Sequence, residues 1–163
     1  MGLGSDEPVL HIALLHPEIG PNAGSIGRLC LGIGARLHLV HPLGFSTDEK
    51  AVRRAGLDYW ARVDVVEHPD AANFWRWAEG RRLHLFSARA TRPYTAIQAQ
   101  PGDVLLFGRE SVGLPPELLD SRPSWAIPID DDIRSLNLAN AVSVVAFQLL
   151  QQLQPQRFHD PGP

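Results

Sequence analysis

Residues 9–15, VLHIALL, are apolar nearly throughout and stop at His16-Pro17. A strand with one wet face alternates polar and apolar residues, whereas a strand covered on both faces does not. This run therefore points to a buried parallel strand, and parallel strands need crossover connections. The next residues supply one. Residues 17–22, PEIGPN, form a turn by composition. Asn22 is expected to cap a helix that carries Ile26, Leu29, Cys30 and Ile33 on one side and stops at Gly34. A second strand is predicted over residues 37–41, ending at Pro42.

The same alternation continues. Strands are predicted over residues 63–67, 83–87, 103–107 and 126–129, and short helices over 48–55 and 116–119. Asp70 is expected to cap a helix bearing Phe74, Trp75 and Trp77. Residues 56–60, GLDYW, read as a loop with exposed aromatics, and residues 89–100 as irregular chain. The stretch 127–150, IPIDDDIRSLNLANAVSVVAFQLL, moves from a strand end through a polar loop into a helix. Apolar residues recur there at Leu138, Ala141, Val142, Val145, Leu149 and Leu153, and Asn137 or Ser135 is expected at the N-cap. Strand, loop and helix in repetition define an α/β fold, a mostly parallel sheet flanked by helices. No internal repeat or linker divides the chain, so one domain is expected over 1–153. The polar, Pro-rich residues 154–163 are expected to form a frayed, flexible tail.

The helix over residues 138–153 is apolar on more than one face. Leu138, Val142, Val145 and Leu149 lie on one side, with Val144, Phe147 and Leu150 near another. A second surface must cover it, and a homodimer is expected to provide that surface.

Charge and cysteine usage narrow the function. A net charge of −3 argues against a nonspecific nucleic-acid binder. Yet 14 of the 15 basic residues are arginine, which suits two-point recognition of phosphate; a GC-rich genome is the competing explanation. The single cysteine, Cys30, excludes an internal disulfide and any multi-cysteine metal site. The seven histidines are scattered, without metal-ligand spacing, and His16, His41 and His68 each precede proline. The run Asp130-Asp131-Asp132 reads as a solvated turn, so no metal is expected. No segment approaches the ~18 apolar residues of a membrane span, and the N-terminus lacks a signal-peptide pattern. A soluble cytoplasmic protein is expected.

Two familiar motifs fail. Gly32-x-Gly34 would need a third glycine where Leu37 stands, and it ends a helix rather than opening one. A G-x-S-x-G nucleophile motif is absent from the sequence. What remains is three loops, each after a predicted strand, where ligands bind in open α/β sheets.

Those loops carry Pro21-Asn22-x-Gly24-x-x-x-Arg28, then Leu106-Phe107-Gly108-x-Glu110-x-x-Gly113-Leu114-Pro115, then Ile127-Pro128 with Arg134-Ser135-x-Asn137-Leu138-x-Asn140-Ala141-Val142. In order and spacing they resemble the three motifs of the SPOUT superfamily of methyltransferases. Arg53-Arg54 followed by Ala55-Gly56-Leu57-Asp58-Tyr59 resembles, more closely, the small tRNA wobble-nucleotide 2′-O-methyltransferases of the TrmL type. The resemblance spans residues 9–153.

The resemblance implies a C-terminal deep trefoil knot, which general folding rules would not anticipate. It implies an S-adenosyl-L-methionine pocket lined by Ala88, Gly108, Glu110, Gly113, Ile127, Ser135, Leu136 and Asn137. It implies polar active-site positions at Asn22, Arg28, Glu110, Ser135 and Asn137, and RNA contacts at Arg53, Arg54 and Tyr59. A homodimer with the first and last helices at the interface is implied, as is tRNA, through its anticodon stem-loop, as the partner. The family more often has a bulkier residue at Ala88, Pro at Arg109 and Met at Leu136, departures that touch substrate detail rather than reaction type. The expected activity is 2′-O-methylation of the wobble ribose. Methylation of another tRNA position or of rRNA, and a catalytically silent RNA-binding role, are the alternatives. For Arg28 two roles stay open: a charge that serves the reaction, or an interface salt bridge. As a base it is excluded by its persistent protonation.

Overall fold

The computed structural model describes residues 7–163. Seven strands form one sheet: β1 His11–Leu15, β2 Arg36–Val40, β3 Val65–His68, β4 Leu83–Phe86, β5 Arg92–Pro93, β6 Val104–Phe107 and β7 Ser124–Ala126. Their order is β3-β2-β1-β6-β4-β7-β5, and every pairing is parallel. Five α-helices accompany them: α1 Gly20–Ile33, α2 Glu49–Arg54, α3 Ala71–Ala78, α4 Pro116–Ser121 and α5 Leu138–Leu153.

The continuous apolar strands are explained by cover on both faces. Ile12 and Leu14 of β1 point to a core shared with Ile26 and Cys30 of α1 and with Val142, Val145 and Leu149 of α5. Ala13 and Leu15, on the opposite face, join Phe74 of α3, Leu106 of β6 and Leu114 in a second core. Burial in the first core pushes the Cys30 thiol up to about 12, so it behaves as a small core hydrophobe.

Local signals worked where a single contact decides them. Gly34 ends α1 in the left-handed conformation at φ 77°. Asp48, Asp70 and Asn137 each accept a bond from the third amide of the helix they cap.

Several expectations need correction. Asn22 is not a cap: α1 begins at Gly20 with Ile19 at the N-cap, and Asn22 lies inside the first turn with its side chain turned to other loops. The last strand ends at Ala126, so Ile127 to Ile129 belong to the loop that follows. Residues 89–100 are not wholly irregular, because Arg92-Pro93 pairs with Trp125-Ala126 at the sheet edge. The aromatics of 56–60 are docked rather than exposed. The Tyr59 hydroxyl donates to the Gly24 carbonyl at 2.9 Å. Trp60 lies so close to α1 that a Cβ on Gly27 would stand 2.5 Å from its ring. A glycine stripe on α1 thus receives this segment. Leu150 is fully buried, leaving Val144 and Phe147 as the exposed apolar residues of α5. Pro155–Phe158 form a 3-10 turn, and the Phe158 ring packs edge-on to Phe147.

The scattered histidines also converge. His11, His38 and His68 come from β1, β2 and β3 and form a buried ladder, with ring nitrogens 2.8 and 2.9 Å apart. The Trp77 ring packs against all three at centroid distances of 4.1–5.6 Å. Burial drives the His38 imidazole down to about 2, and the neighbouring histidines and arginines add to the effect.

Candidate active site

The strand order places β1 and β6 side by side at the middle of the sheet. From β1 the chain winds outward through β2 and β3, while β4, β7 and β5 continue the sheet beyond β6. The carboxyl ends at such a switch of winding leave a crevice. A cleft of about 590 Å³ lies there, walled by the segments after β4, β6 and β7 and by the start of α1 and α5. Its size suits a small-molecule site.

The cleft brings together nine of the thirteen predicted residues. Asn22, Ala88, Gly108, Glu110, Gly113, Ile127, Ser135, Leu136 and Asn137 all line it. Arg28 does not. It stands exposed on α1 with its guanidinium 5.8 Å from the centre of the Tyr59 ring. Arg53 and Arg54 are exposed on α2, away from the cleft, and Arg53 pairs with Glu49. Tyr59 is spent on α1 through its hydroxyl.

Gly108 closes β6 in a space no other residue could share. A Cβ there would stand 2.1 Å from the Gly113 carbonyl carbon and 2.2 Å from the Leu114 nitrogen. The loop returns on itself at that point, with Arg109 and Gly113 exchanging backbone bonds of 3.2 and 2.8 Å. Gly113 makes the return at φ 73°.

Glu110 ties this loop to α1. Its two carboxylate oxygens accept from the Glu18 and Ile19 amides at 2.8 and 2.7 Å. No side chain caps α1 from within, and an anion from a distant loop receives the amides of the turn that leads into it, beside its positive end. The Asn22 amide donates to Glu110 at 3.3 Å. Asn137 then donates to the Asn22 carbonyl oxygen at 3.1 Å, and its own carbonyl oxygen caps α5 through the Asn140 amide at 3.2 Å. Because a carboxylate can only accept, this chain sets the orientation of both amides in turn. One network therefore links the starts of α1 and α5 to the loop after β6, three segments far apart in sequence.

Sequence reasoning missed Glu18, Phe86 and Trp125. The Phe86 and Phe107 rings stack at 4.7 Å with an interplanar angle of 10°, forming a flat apolar wall. Trp125 lines the cleft with Arg92 4.4 Å above its ring. Glu18 accepts from the Ser111 hydroxyl and amide at 2.7 and 2.9 Å and from Arg109 at 3.3 Å. The Ser111 bonds, with Arg109, hold its carboxyl below the usual range. Aromatic strand ends look like ordinary core, and a glutamate in a turn carries no pairwise signal.

Around the mouth stand Arg89, Arg109 and Arg134, all exposed. Among the described residues, no group of three His, Cys, Asp or Glu side chains is placed to hold a metal ion. No described helix is long and apolar enough to cross a membrane. A second cleft, of about 640 Å³, lies at the opposite end of the strands, where Arg82 is paired with Asp103 at 2.8 Å and Arg81 is stacked on Trp77.

Comparison with known proteins agrees with this arrangement. Residues 9–147 match the SpoU rRNA Methylase family. A tRNA (cytidine(34)-2′-O)-methyltransferase of Escherichia coli K12 is 44% identical over 148 residues, covering 89% of this chain and 94% of that one. A solved structure that gives insights into 2-OH methylation of C/U34 on tRNA superposes with a TM-score of 0.84 at 43% identity, covering 91% and 98% of the two chains. The SpoU methyltransferase AviRb of Streptomyces viridochromogenes, solved in complex with AdoMet, shares the fold at a TM-score of 0.76 and 23% identity, over 92% of this chain and 60% of that one. With its three loops gathered on one cleft and its sequence matched almost end to end, the chain belongs to the SpoU rRNA Methylase family.

Proposed function

We propose that this protein is an S-adenosyl-L-methionine-dependent tRNA 2′-O-methyltransferase acting on the wobble ribose, at cytidine or uridine 34. The observation that carries this reading is the near end-to-end match to a tRNA (cytidine(34)-2′-O)-methyltransferase by a chain in which residues of all three motif loops line one cleft. The test is to map 2′-O-methyl groups in tRNA from cells with and without the gene, then restore them with purified protein. Loss of the group at position 34 alone is the expected result. Loss at another tRNA or rRNA position, or no loss, would refute it.

The cleft fits the cofactor by its walls. Phe86, Phe107, Ile127 and Leu136 offer apolar surface, and the glycine-bearing loop 108–113 brings backbone to the edge. Bound there, the cofactor supplies an electrophilic methyl group on a sulfonium sulfur. Ala88, Gly108, Gly113, Ile127, Ser135 and Leu136 hold it.

The residues of the chain divide the remaining work. Holding donor and acceptor in line supplies much of the acceleration in such a transfer. Asn22 and Asn137, oriented by Glu110, offer fixed amide groups at the cleft. Glu110 serves as a brace, its oxygens accepting from the Glu18 and Ile19 amides and from Asn22. Ser135, exposed in the cleft wall, offers a hydroxyl to cofactor or acceptor. Arg89, Arg109 and Arg134 suit the phosphates beside the target nucleotide, and Arg53 and Arg54, exposed on α2 away from the cleft, suit a separate contact with the anticodon stem-loop. A charged Arg28, outside the cleft of its own protomer, stabilises the alkoxide that forms on a ribose held in the partner's cleft.

The protein works as a homodimer. Leu31 of α1, one turn beyond Arg28, is 36% exposed, and Val144 and Phe147 of α5 are 39% and 45% exposed. This apolar face suits a second copy, and Arg28 beside it serves RNA held across the pair. The unit is a single catalytic domain over 1–153, followed by a short tail over 154–163, and is threaded at its C-terminal end as a trefoil knot. The insertion of β6 between β1 and β4 and the packing of α5 on α1 support that threading. The cytoplasm, where tRNA and reduced thiols are found, is its compartment.

A further inference from the structure

We propose that Glu18 is a positioning residue for the cofactor, holding one wall of the cleft from outside it. This rests on the reading of the cleft as the S-adenosyl-L-methionine site.

The wall in question is the loop 108–113, every residue of which lines the cleft. Its base is rigid, because Gly108 is packed against Gly113 and Leu114 and the Arg109–Gly113 bonds close the loop. Its tip is not buried: Ser111 is exposed and Val112 is 67% exposed. A tip of this kind gains little order from packing. What reaches it is Glu18, in the turn between β1 and α1, which does not line the cleft. The Glu18 carboxylate takes the Ser111 amide and hydroxyl on one oxygen, at 2.9 and 2.7 Å, and Arg109 on the other, at 3.3 Å.

The contact is reciprocal. While the Glu18 carboxylate reaches residues 109 and 111, the Glu110 carboxylate reaches the amides of residues 18 and 19. Two carboxylates are thus exchanged between the same two turns. Glu110 also holds Asn22, so the exchange joins the cofactor wall to the helix that carries the acceptor-side residues. Glu110 belongs to the recognised motif, whereas Glu18 lies outside it. The charge of Glu18 matters because it gathers three donors at once. A neutral amide accepts less strongly and presents N–H groups to the donors Arg109 and Ser111. A loop ordered before binding spares the cofactor the cost of ordering it.

Two measurements on purified full-length protein test this. Amide hydrogen exchange without ligand reads the clamp itself, and calorimetry with S-adenosylhomocysteine reads its effect on the cofactor site. Glu18→Ala is expected to speed exchange across residues 109–113 and to weaken binding about tenfold, the loss set by charged hydrogen bonds at a partly exposed site. Glu18→Gln, which keeps the shape and one acceptor oxygen, is expected to fall between Glu18→Ala and the native protein, and stands in if Glu18→Ala fails to fold. Adding Ser111→Ala to Glu18→Ala is expected to weaken binding little further, because both changes remove the same bond.

Unchanged exchange at 109–113 in folded Glu18→Ala and Glu18→Gln overturns the clamp, whatever the ligand does. Faster exchange with unchanged affinity overturns the positioning role and leaves a merely structural contact, which would show as a lower Tm alone. Faster exchange in the variants, with no binding by the native protein, overturns the cofactor reading of the cleft and the positioning role with it.

Discussion

Acid should weaken this protein through one named group of histidines. His11, His38 and His68 are 0%, 0% and 6% exposed, and burial lowers the proton affinity of each. In the unfolded chain the same side chains titrate near 6.5. Between the folded and unfolded values the unfolded chain holds more protons, so stability falls as pH falls below about 6.5 and is unaffected well above it. For His38, neutral in the fold down to about 2, the loss between pH 7.5 and 5.5 is about 1.4 kcal/mol. If all three stayed neutral in the fold, the loss would reach about 4 kcal/mol, a large share of a typical 5–15 kcal/mol. The His11–Glu7 contact at 3.2 Å opposes the shift of His11, so the sum is a ceiling. Urea unfolding at pH 7.5 and 5.5, at one protein concentration, measures the difference. His38→Asn costs stability at both pH values by breaking two ring contacts, yet its loss on acidification should be smaller than the native one by about 1.4 kcal/mol. Native and variant proteins losing the same stability between the two pH values would refute the reasoning.

Four further outcomes are expected. Gly108→Ala, whose methyl meets backbone 2.1 Å away, should distort the 108–113 loop and abolish cofactor binding measured by calorimetry; normal binding would show that the loop yields. Asn137→Ala removes the α5 cap and the bond to Asn22, costing about 1–2 kcal/mol in denaturant melts and lowering turnover at saturating cofactor. Arg28→Ala should keep fold and cofactor affinity while single-turnover methylation falls about 10²–10³-fold; a lower Tm with normal turnover would mark an interface contact instead. Phe147→Asp, on the exposed face of α5, should shift the mass found by light scattering from dimer toward monomer, and a native protein of monomer mass would remove the dimer altogether.

The architecture was legible in the sequence wherever a local signal decided it. The nearly continuous apolar run of β1 required cover on both faces, and both faces are covered. Asp48, Asp70 and Gly34 act within one turn of the chain, so their positions sufficed to place helix ends. The motif residues Asn22, Gly108, Glu110, Ile127, Ser135 and Asn137 were found from order and spacing, and the cleft gathers them. What those residues do to one another was decided by the tertiary structure. Asn22 looks like a cap until Glu110, 88 residues away, turns its amide toward another loop. Glu18 looks like any turn residue until Ser111 and Arg109 arrive from β6. His11, His38 and His68 look scattered because strand register, not sequence spacing, puts their rings in line. Tyr59 and Trp60 look exposed because nothing local shows that Gly24 and Gly27 of α1 leave room for them. Periodicity and capping act over a few residues and can be read along the chain, whereas hydrogen bonds between loops depend on which strand ends the sheet brings together.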